Sequence, residues 1–291
     1  MTATADPGPD PRPDPRPGSG PAGQRPSGWS GVRTLVFDVL GTVVDESGSI
    51  RELVTAALAA AGADPAGGPA LAARWTERVE ALTSQAAAGE APWRSNDELR
   101  RAALLETIAA DSAGASSGGA GSGGAGSGGA GAGGAGAGGG GTGAGVLAAA
   151  VVEDLALAGH RLRPWPDSGP ALRALAGSFT VVALSNASLA QLADIFAAGG
   201  LAWHGVLSGE LARAYKPDPA VYQLAIRLLG LDPAATMMVA AHPWDLRAAA
   251  GHGLRTAYVG RPGEGVPGPA DRFDIQVGSL AELAAQLTES G

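Results

Sequence analysis

The sequence predicts an α/β protein in which a Rossmann-like, doubly wound parallel sheet carries an inserted helical cap subdomain. Three observations predict it. An apolar run from Val32 to Phe37 reads as a buried strand that ends in Asp38, and Gly41 with Thr42 then forces a tight turn. Four helical segments follow with no strand between them. Beyond Pro166, strand and helix patterns alternate, which is how a parallel sheet with right-handed crossovers is written in sequence.

Taken in order, residues 1–30 are rich in Pro, Gly and Asp without apolar periodicity and are expected to be a disordered tail. They lack the basic start and apolar run of a signal peptide. Residues 31–46 open the core. Residues 47–165 form the cap, with helices expected at 50–61, 70–88, 96–110 and 146–157. The cap is interrupted at 112–145 by a tract of Gly, Ala and Ser in imperfect Gly-Gly-Ala repeats. Glycine loses the most entropy on ordering and brings nothing to pack, so the tract reads as a flexible insert. Its ends would lie about 30 Å apart if free, from a span of roughly 5–6 Å × √n.

The core resumes at 166–291. Helices are expected at 168–176, 189–198, 220–229, 244–251 and 280–287, and strands at 179–184, 205–208, 237–241, 255–259 and 275–277. Removing the tail and the insert leaves roughly 225 residues, enough for one α/β core and a smaller helical unit.

Composition narrows the function classes. The net charge of −8 argues against nucleic acid or anionic membranes as partners. No run approaches the ~20 apolar residues that span a bilayer. Zero Cys excludes thiol nucleophiles, disulfides and thiolate metal sites and fits a cytoplasmic protein. The expected partner is a small-molecule substrate, and homodimerisation is left open.

Four loops at the expected carboxyl ends of strands carry polar chemistry, where open α/β sheets bind ligands. They are Phe37-Asp38-Val39-Leu40-Gly41-Thr42, Leu184-Ser185-Asn186, Tyr215-Lys216-Pro217-Asp218-Pro219 with Val221-Tyr222, and Ala240-Ala241-His242-Pro243-Trp244-Asp245. Each has a plain reading. Asp38 after a strand is compatible with a turn or cap residue. Ser185 and Asn186 alone read as a turn, Lys216 as a solvated charge, Tyr222 as a core aromatic, and Asp245 as a carboxylate at a helix start.

In order and spacing the four loops, with Arg163-Pro164-Trp165-Pro166-Asp167 as the return from cap to core, resemble the haloacid dehalogenase superfamily. More narrowly they resemble its type II (S)-2-haloacid dehalogenases. The resemblance implies Asp38 as covalent nucleophile and Lys216 as the cation that keeps it ionised. It implies Asp245 as partner of Lys216 and activator of the hydrolytic water. Ser185 and Asn186 would hold the substrate carboxylate and contact the halide, and Leu40, Thr42 and Tyr222 would complete the binding site.

The phosphatases of the superfamily carry a second Asp two residues after the nucleophile, as general acid. Leu40 occupies that position and can neither give nor take a proton, so the leaving group must depart unprotonated, as halide does. Those phosphatases also bind Mg²⁺ through the fourth loop, where this chain has Ala241 and His242. No cofactor is expected, and Mg²⁺ only in the phosphatase alternative.

Two positions depart from the dehalogenases. Ala240 and His242 stand where the family usually offers Ser and Asn; His242 either takes polar duty near the ester or caps the helix that Pro243 starts. In the cap, Trp75 is followed by Thr76 instead of an Arg that binds halide and carboxylate. Arg74 and Arg78 flank the position, and either or neither reaches the site. The expected function is hydrolytic dehalogenation of short 2-haloalkanoic acids. The alternatives are a phosphatase or phosphonatase of the same fold and a non-catalytic binding protein on this scaffold.

Overall fold

The computed structural model describes residues 31–117 and 147–288, together with Trp29 and Gly145. The expected tail, apart from Trp29, and most of the Gly/Ala/Ser tract lie outside the described residues.

The sheet is built around β1 (Thr34–Phe37), all four residues of which are buried. It lies between β4 (Thr180–Ser185) and β6 (Thr236–Ala240), and both pairings are parallel. With β5 (Gly205–Ser208), β7 (Arg255–Val259) and β8 (Ile275–Val277), the six strands run in the order β5-β4-β1-β6-β7-β8. Alternation along β1 splits the core in two. Leu35 and Phe37 join the cluster that holds Leu172, Leu175, Leu192, Leu283 and Leu287, whereas Val36 joins Val221, Tyr222, Leu246 and Ala249 on the other face. Helices α5 (Ser168–Ala176), α6 (Leu189–Gly199) and α9 (Leu280–Thr288) therefore cover one face, and α7 (Pro219–Leu229) and α8 (Pro243–Gly251) the other. This is the doubly wound α/β arrangement, with Asp38 at the carboxyl end of its central strand.

The cap consists of α1 (Glu46–Ala60), α2 (Gly68–Ala87), α3 (Asn96–Ser117) and α4 (Ala149–Ala156). Neighbours α1 and α2, α2 and α3, and α3 and α4 pack together, and α4 also touches α1. The chain leaves and re-enters the core through an antiparallel pair, β2 (Val44–Asp45) with β3 (Arg163–Pro164). That pair was not anticipated, because two residues are too few to carry a strand pattern. Helix α1 starts four residues before the expected position, since the Asp45 side chain accepts the Gly48 amide at 2.8 Å and caps it. Helix α3 runs to Ser117, past the expected end at 110. The small residues there carry no apolar stripe, so periodicity gave no sign of helix. Among the described residues no helix is long and apolar enough to cross a membrane.

Candidate active site

The residue after β1, the loop between β5 and α7 and the first turn of α8 bring three buried ionisable side chains into one network. Lys216 Nζ donates to Asp38 Oδ1 at 2.8 Å and to Asp245 Oδ2 at 2.5 Å. The other oxygen of Asp245 accepts the Tyr222 hydroxyl at 2.6 Å. The second oxygen of Asp38, Oδ2, accepts the Thr42 hydroxyl at 2.6 Å and lies 2.9 Å from His242 Nδ1. Because the Thr42 oxygen also accepts the Ala241 amide at 2.8 Å, its proton is committed to Asp38. The Asp38 amide donates to Val239 O at 3.0 Å, so the nucleophile's backbone stays in the sheet ladder.

Burial alone would raise the Asp38 carboxyl, but the Lys216 ammonium and the His242 imidazole overcome it and hold the group well below the usual carboxylate range. Lys216 shows the converse: burial works against its charge, and Asp245 with Asp38 outweighs it, raising the ammonium above its usual value. Asp245 is raised, chiefly by burial, against the pull of Lys216. Burial and the neighbouring Asp245 push the Tyr222 hydroxyl upward, so it remains a donor.

His242 occupies the N-cap position of α8 but makes no side-chain capping bond. Its ring lies instead against Asp38 Oδ2. Its Nε2 lies 3.0 Å from Glu264 Oε2. Burial opposes the imidazolium, but contacts to Asp38 and Glu264 push His242 up to about 10. Gly41 makes this close approach feasible: its φ is +75°, and a Cβ there would lie 2.8 Å from Glu264 Oε1 and 3.0 Å from the imidazole ring.

A cavity of about 560 Å³ opens over this network between core and cap. Asp38, Leu40, Asn186, Lys216 and His242 are on its wall. Asn186 also holds the Lys216 peptide, accepting its N–H at 2.7 Å and donating to its carbonyl at 3.3 Å. Five of the sequence candidates for substrate contact are not on the wall. Thr42 and Tyr222 lie behind Asp38 and Asp245 and orient them. Ser185 is fully buried and accepts the Ala187 amide at 3.2 Å, which is the turn reading of the Ser-Asn pair. Asp245, with no exposed surface and both oxygens engaged, reaches the cavity only through Lys216.

The other two are Arg74 and Arg78, which the structure does not bring to the site. Trp75 is buried against α3, with its indole N–H donating to Arg100 O at 2.9 Å. That fixes the rotation of α2, so Val79, Glu80, Thr83, Ser84 and Ala87 face the cavity. Arg74 and Arg78 fall on the flank, paired with Asp111 and Glu106 of α3. The arginine on the cavity wall is Arg100, 2 % exposed, whose Nε donates to Asn96 Oδ1 at 2.8 Å and whose guanidinium also pairs with Glu46. Sequence reasoning missed Arg100, Glu46 and Glu264. Arg100 had a usable signal, a lone cation on the otherwise apolar Leu99–Ala103–Leu104 face of its helix. Glu264, in a Gly- and Pro-rich loop, had none.

Comparison with known proteins points the same way. The family model for haloacid dehalogenase-like hydrolases matches residues 32–253. The chain is 33% identical over 138 residues to (S)-2-haloacid dehalogenase 1 of Pseudomonas sp. strain CBS-3, covering 45% of this chain and 61% of that one. It is 32% identical over 106 residues to haloacetate dehalogenase H-2 of Moraxella sp. strain B, covering 35% and 47%. The chain thus spans about half the length of these curated relatives. Among solved structures, the defluorinating L-2-haloacid dehalogenase Rha0230 aligns with a TM-score of 0.71 and 30% identity, over 88% of this chain and 95% of that one. The L-2-haloacid dehalogenase PA0810 aligns with 0.70 and 31%, over 88% and 98%. With three quarters of its length inside the family model and the same six-stranded core, this chain belongs to the haloacid dehalogenase-like hydrolases.

Proposed function

We propose that this protein hydrolyses the carbon–halogen bond of short 2-haloalkanoic acids through an ester on Asp38, giving 2-hydroxy acids. The observation that carries the proposal is the pairing of an ionised, cavity-facing Asp38 with a Leu at position 40. Such a carboxylate is a competent nucleophile, and nothing two residues on can protonate a departing alkoxide. Halide departs as a stable anion and needs no proton. The names of the relatives, (S)-2-haloacid and L-2-haloacid dehalogenases, support the same substrate class.

Asp38 attacks C2 from the side opposite the halogen, and water then adds to the Asp38 carbonyl of the resulting ester. Asp245 acts on that water through Lys216, because only Lys216 of the two meets the cavity. Asn186 and Leu40 bound the reacting centre, and Arg100 is the cavity-wall guanidinium nearest in kind to a carboxylate-binding group.

The donor set does not fit the Mg²⁺ that superfamily phosphatases use. That ion wants octahedral oxygen ligands, whereas both oxygens of Asp38 face cationic groups, Lys216 and His242. Among the described residues no group of three Asp, Glu or His side chains is arranged to hold a metal. The reaction is therefore read as cofactor-free, acting on a small molecule.

Halide release from (S)-2-chloropropionate, beside phosphate release from simple esters, tests this, each before and after exhaustive chelation. Chelator-resistant chloride release is expected. Phosphate release that EDTA abolishes and Mg²⁺ restores, without dehalogenation, would overturn the proposal.

A further inference from the structure

The two oxygens of Asp38 are not equivalent. Oδ1 has one side-chain partner, the Lys216 ammonium. Oδ2 has two, the Thr42 hydroxyl at 2.6 Å and His242 Nδ1 at 2.9 Å, which occupy both of its lone-pair directions. Only Oδ1 retains a lone pair with which to attack carbon. The geometry points to a division of labour that rests on the dehalogenase reading: Oδ1 forms the bond to C2, while Oδ2 becomes the ester carbonyl oxygen in an oxyanion hole made by His242 and Thr42, with Glu264 as the positioning residue for His242.

The bonds follow in order. Oδ1 attacks C2, and halide leaves with the electron pair of the broken carbon–halogen bond. Water then adds to Asp38 Cγ while its proton passes to the Lys216–Asp245 pair, and the carbonyl π electrons move onto Oδ2. The Cγ–Oδ1 bond breaks next. Oδ1 leaves with the product and takes the proton that Lys216 returns. The new Asp38 carboxyl loses its remaining proton to solvent, so the cycle consumes one water and releases one halide and one proton.

Charge explains why such a hole accelerates the second step. In the free enzyme His242 faces an anion. In the ester that anion is gone, leaving the imidazolium with Glu264 as its close partner. The tetrahedral intermediate restores a full negative charge at Oδ2, within reach of both donors. The interaction is therefore stronger in the transition state than in the ester that precedes it, which is the condition for catalysis. The charged groups around the ring are Asp38 with Lys216 behind it, Glu264 from the loop after β7, and Glu80 from α2 across the cavity. With Asp38 esterified, Glu264 is what keeps the ring protonated at high pH.

Rapid mixing of His242→Ala, which removes the ring donor, with excess (S)-2-chloropropionate tests the inference. The expected result is a burst of one chloride per site followed by turnover slowed about 10²-fold or more, with the ester visible on Asp38 by peptide mass. Thr42→Val, which removes the other donor, should also show a burst. Should His242→Ala not fold, Glu264→Gln carries the test. Its deacylation rate should lose its alkaline limb roughly one pH unit earlier than wild type, while the chloride burst keeps its pH profile. A His242→Ala enzyme with no burst, or a Glu264→Gln enzyme with an unshifted deacylation limb, overturns the assignment. Wild-type enzyme that releases no halide overturns the dehalogenase reading instead.

Discussion

Lys216 Nζ lies 2.8 Å from Asp38 Oδ1, although 178 residues separate the two in sequence. The ammonium also touches Asp245, so one buried cation serves two buried carboxylates. Neither carboxylate would stay ionised there alone, because a buried charge is tolerated only when paired.

Lys216→Met is therefore expected to do two things at once. Activity should fall at least about 10³-fold, since Asp38 loses the charge that keeps it a nucleophile. Stability should fall by about 3–5 kcal/mol, the cost of leaving a buried carboxylate unpaired. Adding Asp245→Leu to this variant should recover part of the melting temperature and none of the activity. A double variant less stable than the single one would contradict the pairing.

The arginines offer a cleaner comparison. Arg74→Ala and Arg78→Ala remove partly exposed ion pairs on the flank of the cap, worth at most about 1 kcal/mol each. KM for a haloacid should stay within about twofold of wild type in both. Arg100→Lys keeps the charge but loses the planar fork on the cavity wall, and KM should rise about tenfold or more. A KM change at Arg78 larger than that at Arg100 would show that the cap closes differently over substrate.

How much of this was legible in the sequence follows from where each residue sits. Asp38 follows its strand directly, and Lys216 and Asp245 sit in short polar motifs, Tyr215-Lys216-Pro217-Asp218-Pro219 and His242-Pro243-Trp244-Asp245, on the way from a strand to the next helix. The polar loops could therefore be read directly. Cap residues sit on helices, where the address depends on rotation about the helix axis. Burial of Trp75 against α3 sets that rotation for α2, and it moved Arg74 and Arg78 away while bringing Glu80 inward. The rotation of α3 then put Arg100 on the wall. Tyr222 was found for its spacing, but its hydroxyl faces Asp245 instead of substrate, a distinction only the packing of α7 decides. Glu264 is held by a loop whose course no periodicity describes.

His242 makes stability depend on pH. Its pKa rises from an ordinary 6.5 to about 10 on folding. Between those values the folded chain holds a proton that the unfolded chain has lost, so stability falls as pH rises. The contribution is fully present below about 6.5 and gone above about 10. Asp38, lowered on folding, acts in the opposite direction and only in acid, as pH falls through and below its ordinary 3.8. Melting temperatures measured from pH 6 to 10 should decline in wild type and stay flatter in His242→Asn. Parallel declines would mean that another group is responsible.

The central claim, that Asp38 itself attacks carbon, has a direct measurement. A single turnover of (S)-2-chloropropionate in ¹⁸O-water, with enzyme in excess, is followed by peptide mass spectrometry of the segment containing Phe37 to Thr42. Attack by the carboxylate puts one unlabelled Asp38 oxygen into the product and one solvent oxygen into Asp38, so the label should appear in that peptide and not in the lactate. Label in the lactate with an unlabelled peptide would mean that water attacks C2 directly, and the covalent account would be wrong.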